Sequence, residues 1–154
     1  MTPAIQPFSL DLTDPLSTAD GTIDERNGFL VGVERSGDPG TVRGLGEATP
    51  LPGWTEGSEA CEAALRDPPS AWRAVDDTLG EQRSSTPAAR HGYRLAVLDA
   101  QARENDQTLA ALLAARVGFG PPAASVPVNA TVGDGTVGET VTAARDAIDA
   151  QPPV

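Results

Sequence analysis

The stretch Gly44 to Ser58, GLGEATPLPGWTEGS, does most to limit what this chain can become. Its first residues suit a strand, and its last stands where a helix opens. Between them Pro50 and Pro52 force a sharp turn, because proline fixes φ and donates no amide hydrogen bond. The chain is thereby divided into β structure before the turn and helical structure after it.

The part before the turn carries three strand signals. Phe8-Ser9-Leu10-Asp11-Leu12 alternates apolar and polar residues, as a strand with one wet face does. Phe29 to Val33 is a second apolar run, ended by the turn signal Ser36-Gly37-Asp38-Pro39-Gly40. Thr41 to Glu47 is the third. Residues 13–27 are polar and turn-rich and read as a loop too long for a tight hairpin. Three consecutive strands joined this way make an antiparallel meander.

The part after the turn reads as helices. Ser58 is placed to cap a helix from Glu59 to Arg66, with Glu59 and Glu62 near its positive end. Asp67-Pro68-Pro69 stops it, and Ser70 starts a short helix through Leu79. The clearest helix runs from Pro87 to Glu104, with Thr86 at the N-cap and proline at the first helical position. Tyr93, Val97 and Ala100 share one stripe, which Leu95 and Leu98 widen. Leu109 to Val117 is a further helix, with Leu109, Leu112 and Leu113 at core spacing. Gly118 to Ser125 has linker composition. Val126 to Thr131 then reads as a buried strand, and Glu139 to Ala150 as a helix aligning Val141, Ala144 and Ile148. A lone strand–helix unit cannot bury both faces of its strand, so this last part is expected to be incomplete by itself.

Charge and cysteine usage exclude several classes. The 154 residues carry a net charge of −11, and all 11 basic residues are arginine. An acidic surface without lysine opposes nucleic-acid binding, which needs cations to replace phosphate counterions. It suits solution at high ionic strength, where repulsion is screened, as in a salt-accumulating halophile; a high-GC genome also exchanges lysine for arginine. The single cysteine, Cys61, excludes an internal disulfide and points to a reducing, cytoplasmic compartment, where it serves as a small buried apolar residue. No apolar run resembles a signal peptide or spans a bilayer, so no membrane partner is expected.

Three segments, in order, resemble the enolase superfamily. They are GLGEATPLPGWTEGS, PAARHGYRLAVLDAQAR (Pro87 to Arg103) and VPVNATVGDG (Val126 to Gly135), and Arg26-Asn27-Gly28 also fits. The Pro50–Trp54 turn after Gly44–Glu47 is the cue for the menaquinone-pathway branch, o-succinylbenzoate synthase. The resemblance implies an α+β fold. An enolase-type capping domain at 1–117, a three-stranded antiparallel meander plus helices, would be followed by a linker at 118–125. The first βα unit of a truncated TIM-like barrel would occupy 126–154.

In such enzymes two capping-domain loops cover the substrate at the mouth of the barrel. Here they correspond to Pro15–Arg26 and Thr49–Trp54, which makes Leu16, Thr18, Ile23, Leu51 and Trp54 the candidate substrate contacts. Leu51 and Trp54 also suit an anchoring role on their own domain, and both readings stand. Asn129 would face the barrel interior. Glu47 reads as a hydrogen-bonding residue at a strand end, without a catalytic role.

The superfamily abstracts a proton α to a carboxylate, with a lysine or histidine base and Mg²⁺ stabilising the enediolate. In this branch the lysines sit on the second and sixth barrel strands, and metal-binding carboxylates end the third to fifth. This sequence has no lysine, so no lysine base acts within it. The resemblance thus implies the N-terminal part of a Mg²⁺-dependent dehydratase acting on a small carboxylate, inactive alone and binding no metal itself. A separate chain carrying the rest of the barrel is one partner it allows. Sister activities on the same scaffold (N-succinylamino acid racemase, dipeptide epimerase, muconate cycloisomerase) and a non-catalytic capping module are the alternatives.

Weaker signals have blander readings. Gly133 to Gly138 matches G-x-G-x-x-G between a strand and a helix, but no acidic ribose partner follows on a second strand, which favours an ordinary barrel loop. His91, the only histidine, reads as a helical residue without a ligand cluster. The sequon at Asn129 is idle in a chain that is not secreted, and Asp76-Asp77 read as solvated surface.

Overall fold

The computed structural model describes residues 2–18, 21–36, 40–51, 53–72, 84–118, 120–126, 129–130, 132 and 135–150. The fold is α+β. Strands β1 (Ala4–Thr18), β2 (Gly21–Ser36) and β3 (Thr41–Ala48) form one antiparallel sheet in the order β1-β2-β3. Among the described residues four helices follow, α1 (Ser58–Arg66), α2 (Pro87–Glu104), α3 (Leu109–Val117) and α4 (Val137–Ala150), with a 3₁₀ turn at Ser70–Trp72. The chain divides into two compact units. One comprises Met1–Ser9 and Asn27–Pro122, the other Leu10–Arg26 and Ala123–Val154.

The first unit is built on strand alternation. Phe29, Val31 and Val33 of β2 are buried, while Leu30 and Glu34 are exposed and Gly32 is half-buried. On β3 the buried positions are Gly44, Gly46 and Ala48, and Arg43, Leu45 and Glu47 face out. The antiparallel register pairs Phe29 with Ala48, Val31 with Gly46 and Val33 with Gly44, so each large inner residue meets a small one across the ladder.

That row of small residues lets α2 lie directly on β3. A methyl at Gly44 would fall 2.0 Å from the Ala96 carbonyl oxygen, and one at Gly46 would fall 2.1 Å from that of Gly92. Gly92 itself has room for nothing larger, since its own Cβ would stand 2.8 Å from the Cβ of Ala48. Gly44, Gly46 and Ala48 recur every second residue along the strand, and Gly92, Ala96 and Ala100 every fourth along the helix. The two periods bring one small face against the other.

Around this seam Tyr93, Val97, Cys61, Leu65 and Trp72 complete the main core. Burying Val31, Val33 and Leu65 contributes about 1.5–3 kcal/mol each. Trp72 and Tyr93 pack as tilted rings with centroids 6.1 Å apart. A smaller cluster joins Leu98 and Ala102 of α2 to Leu112, with Leu109 and Leu113 alongside. Polar ties clamp α2 to the strands. Asp99 accepts the Leu45 amide at 2.9 Å and is held by Arg103 at 2.9 Å, and Arg35 pairs with Glu104 at 3.2 Å.

Helix α2 matches its expected bounds, but its cap differs. Thr86 is the N-cap residue yet makes no side-chain cap bond. Glu56 takes that role from 32 residues away, its carboxylate accepting the Ala88 and Ala89 amides at 3.1 and 2.8 Å. At α1 the N-cap is Gly57, not Ser58, which lies inside the helix. Helix α3 runs over the expected Leu109–Val117 and stops where Gly118 enters the left-handed region at φ 71°. Of the short helix expected over 70–79, only the Ser70–Trp72 turn falls on described residues.

Two expectations are corrected in the second unit. Residues 13–27 are not a loop: 13–18 continue β1 and 21–27 begin β2. Both faces of this ribbon are largely wet, so pairing rests on the backbone ladder and leaves no hydrophobic alternation to read. Pro15 is tolerated because β1 is an edge strand. Over Val126 to Thr131 the described residues do not form the expected strand: Val126 is 73% exposed, and Asn129 and Ala130 are exposed and outside any strand. An apolar pattern makes a strand only when neighbouring strands satisfy its backbone, and none pairs with it among the described residues. Helix α4 begins at Val137, two residues before the expected start, and none of its residues is buried. A capping box holds that start: Thr136 donates its amide and hydroxyl to Glu139 at 2.9 and 2.6 Å.

Candidate functional site

Strand β3 delivers the chain into the segment 49–55, and hydrogen bonds close that segment on itself. The Leu51 carbonyl accepts the Trp54 and Thr55 amides at 3.0 and 2.9 Å, and the Leu51 amide donates to the Thr55 hydroxyl at 2.7 Å. Both ends of the turn are thus fastened by Leu51 and Thr55. Pro50 is buried and Leu51 half-buried, whereas the Trp54 ring is 79% exposed. The turn is anchored through Pro50 and Leu51, and the indole is presented to solvent.

Beside it a cavity of about 540 Å³ is lined by Glu47, Thr49, Thr55, Pro87, Ala88, His91 and Leu95. It lies between the end of β3, the pinned turn and the start of α2. Thr49 donates its hydroxyl to Glu47 at 2.5 Å, which orients that carboxylate along the strand end as its sequence position suggests. His91 is exposed on α2 and shares the cavity wall with Glu47. Glu56, absent from the sequence-level candidates, stands behind the wall and caps α2. No local spacing marks it, because its partners lie 32 and 33 residues on. Cys61 is buried next to Glu56. Burial, together with the Glu56 charge and its hydrogen bond, pushes the thiol from an ordinary 9.0 up to about 12, so it is not a nucleophile.

The remaining candidates lie in the other unit. Leu16, in β1, is 38% exposed, and Ile23, in β2, is half-buried. Thr18 ends β1, and its side chain lies outside the described residues. Asn129 is exposed, without the barrel strand that was to aim it inward. Leu51 and Trp54 therefore belong to one compact unit, and Leu16, Thr18, Ile23 and Asn129 to the other.

Chemically, the pinned turn offers a flat apolar ring and a shaped cavity. Among the described residues no three His, Cys, Asp or Glu side chains gather to hold a metal ion. The donor set does not fit Mg²⁺, and no step through a metal follows from these residues. Gly133 and Asp134 of the glycine loop lie outside the described residues, as do Asp76 and Asp77. The Thr136 amide at the start of α4 is already bonded to the Glu139 carboxylate, which would repel a phosphate there. Glu139 is held below the usual carboxylate range by the Thr136 hydroxyl and amide. Among the described residues no helix is long and apolar enough to cross a membrane.

Known structures resemble the chain over about two thirds of its length. It is similar to o-succinylbenzoate synthase from Thermosynechococcus elongatus BP-1, solved with magnesium in the active site. The two are 23% identical with a TM-score of 0.46, over 66% of this chain and 30% of that one. It is also similar to a mandelate racemase/muconate lactonizing protein from Herpetosiphon aurantiacus, at 28% identity and a TM-score of 0.47, over 67% of this chain and 30% of that one. The match thus spans less than a third of either solved protein. No protein-family model and no curated protein matches the chain.

Proposed function

We propose that this chain is the capping part of an enolase-superfamily enzyme of the o-succinylbenzoate synthase kind, a cytoplasmic, metal-dependent dehydratase that removes a proton α to a carboxylate and then expels water. The observation that carries this reading is the Pro50–Trp54 turn. It is fastened at Leu51 and Thr55, rooted on a strand whose glycines pack against the α2 backbone, and it holds an indole 79% exposed beside a cavity. An exposed tryptophan on a rigid mount suits a lid that excludes water from a small carboxylate substrate. The ribbon 15–26, with Leu16, Thr18 and Ile23, would supply the second covering element.

The chain would contribute shape and no acid–base chemistry. The sequence holds no lysine, and the described residues gather no metal-binding carboxylates. The lysine base and the Mg²⁺ ligands would stand on barrel strands supplied by other polypeptide, either continuous with this one or a separate chain. When bound, the metal would stabilise the enediolate charge.

The test is reconstitution. The 154-residue chain is mixed with a barrel segment of an o-succinylbenzoate synthase, and formation of the aromatic product is followed by absorbance. Activity is expected only in the mixture, and Trp54→Ala is expected to raise KM about tenfold, the loss of roughly 1.4 kcal/mol of apolar contact. Turnover by the chain alone, or a Trp54→Ala mixture with unchanged KM, would overturn the proposal.

A further inference from the structure

The cavity beside the Pro50–Trp54 turn has a carboxylate in its wall that no cation neutralises among the described residues. Four carboxylates of the same compact unit, Glu34, Glu62, Asp99 and Glu104, each pair with an arginine (Arg43, Arg66, Arg103 and Arg35). Glu47, at the end of β3, is different. It is exposed in the cavity wall, and its Oε1 accepts the Thr49 hydroxyl at 2.5 Å. Among the described residues it has no further bond. The Thr49 bond holds the charge at a fixed place, leaves Oε2 open, and leaves lone pairs on the Thr49 oxygen.

The rest of the wall has an apolar side. Ala88, His91 and Leu95 recur three and four residues apart and so share one face of α2, beside Pro87 at its start. A helix start ordinarily favours an anion, but here its donors are taken. Pro87 has no amide, the Ala88 and Ala89 amides go to Glu56, and the Arg90 amide goes to the Thr86 carbonyl. The cavity therefore offers a positioned negative charge and an apolar wall, with no vacant amide for a carboxylate guest. Its volume of about 540 Å³ lies within the range of small-molecule pockets.

We infer that this cavity binds an organic cation with an alkyl stem, a guanidinium or alkylammonium group, its head on the Glu47 carboxylate and its stem along Ala88 and Leu95. Such groups lay their methylenes on apolar surface while the head keeps polar partners. Guanidinium suits the site best, because its N–H donors reach a carboxylate and a neighbouring hydroxyl oxygen together. A carboxylate would be repelled by Glu47, which separates this site from the substrate position of the enzyme reading. The cation has two sources, a free small molecule or a basic side chain of another polypeptide.

n-Butylguanidinium chloride is titrated into the full 154-residue chain at constant ionic strength and followed by two-dimensional NMR of backbone amides. n-Butylurea, similar in shape but uncharged, and sodium chloride are the references; a capped Ala-Arg-Ala peptide forms the second arm. Saturable shifts centred on Glu47, Thr49, Thr55, Ala88, His91 and Leu95 are expected. The urea should bind at least about fivefold more weakly, the loss of one charge-assisted pair. Glu47→Gln keeps an acceptor for Thr49 and should weaken the cation by about the same factor while leaving the urea unchanged. Tighter saturation by the peptide points to a side chain of another polypeptide, and tighter saturation by n-butylguanidinium points to a free molecule. Shifts that never saturate and spread over the acidic surface, or an affinity untouched by Glu47→Gln, overturn the site. Arg73 and Arg83 lie outside the described residues; binding that emerges only when both are changed to Gln would make the chain's own arginine the occupant and also overturn it. Should Glu47→Gln fail to fold, the ratio of cation to urea affinity in the wild type decides.

Discussion

Gly46→Ala tests the seam between β3 and α2. The added methyl would stand 2.1 Å from the Gly92 carbonyl oxygen, 2.8 Å from the Ala96 amide nitrogen and 3.1 Å from the Gly92 carbonyl carbon. Carbon–oxygen contacts in proteins settle at about 3.3–3.6 Å, so the helix must retreat by roughly 1 Å. All three obstructing atoms are backbone, and no rotamer change relieves them. A radial gap of about 0.5–1 Å forfeits a quarter to a half of each dispersion contact across it, and Tyr93, Val97 and Ala100 of this helix share one buried cluster with Phe29, Val31 and Val33 of the sheet.

Overpacking of this kind costs about 1–3 kcal/mol where side chains can yield, so a backbone-to-backbone clash is expected to reach at least ~3 kcal/mol. For a unit of this size that lowers Tm by roughly 12 °C or more. Gly32→Ala is the control on the other face of the same sheet, where the nearest atom to an added methyl is the Ala4 Cβ at 3.7 Å. It should stay within about 1 kcal/mol of wild type, with a gain favoured because alanine replaces glycine within a strand. Urea unfolding followed by far-UV circular dichroism at fixed salt measures both. If Gly46→Ala unfolds at the same urea concentration as Gly32→Ala, the close approach of β3 to α2 is wrong.

Two further outcomes concern Glu56 and Cys61. Glu56→Ala removes the carboxylate that caps α2 at Ala88 and Ala89 and should cost about 1–2 kcal/mol; a change under ~0.3 kcal/mol in urea unfolding would return the cap to Thr86. The Cys61 thiol is raised in the folded chain from 9.0 to about 12, so the fold favours its protonated form. The stability this contributes is fully present below pH 9 and is lost as the pH climbs toward 12. The urea midpoint of wild type should therefore fall more steeply over that window than that of Cys61→Ala, and parallel curves would contradict it.

Where structure depends on neighbours in sequence, the chain reads plainly. Thr86-Pro87 and the Tyr93–Val97–Ala100 stripe mark α2, and the alternation of Phe29, Val31 and Val33 marks the inner face of β2. The 13–27 ribbon escaped because its two faces are wet and its order comes from a ladder that leaves no period in the side chains. Val126, Asn129 and Ala130 misled in the opposite sense, since an apolar run specifies a strand only with partners beside it. Glu56 was invisible because its amide partners sit on a helix more than thirty residues away. At the candidate site the Pro50–Trp54 turn was legible from its prolines. Which of its residues is an anchor and which is presented was not, since Leu51 and Trp54 are both large and apolar and only packing separates them. The glycines of β3 were visible as a motif, but their steric purpose appears only once Gly92 and Ala96 lie over them.

Asp99 has a consequence for how the protein behaves in a crowd. The rim of a β-sheet with vacant amides is a landing strip on which another polypeptide can extend the ladder. At Leu45 that vacancy is filled internally, by a carboxylate that Arg103 already grips. An invading strand would have to evict it and leave an anion facing its own carbonyls before gaining a single bond. At this position the border of the sheet is closed by a charged side chain of α2, so strand addition across Leu45 is disfavoured.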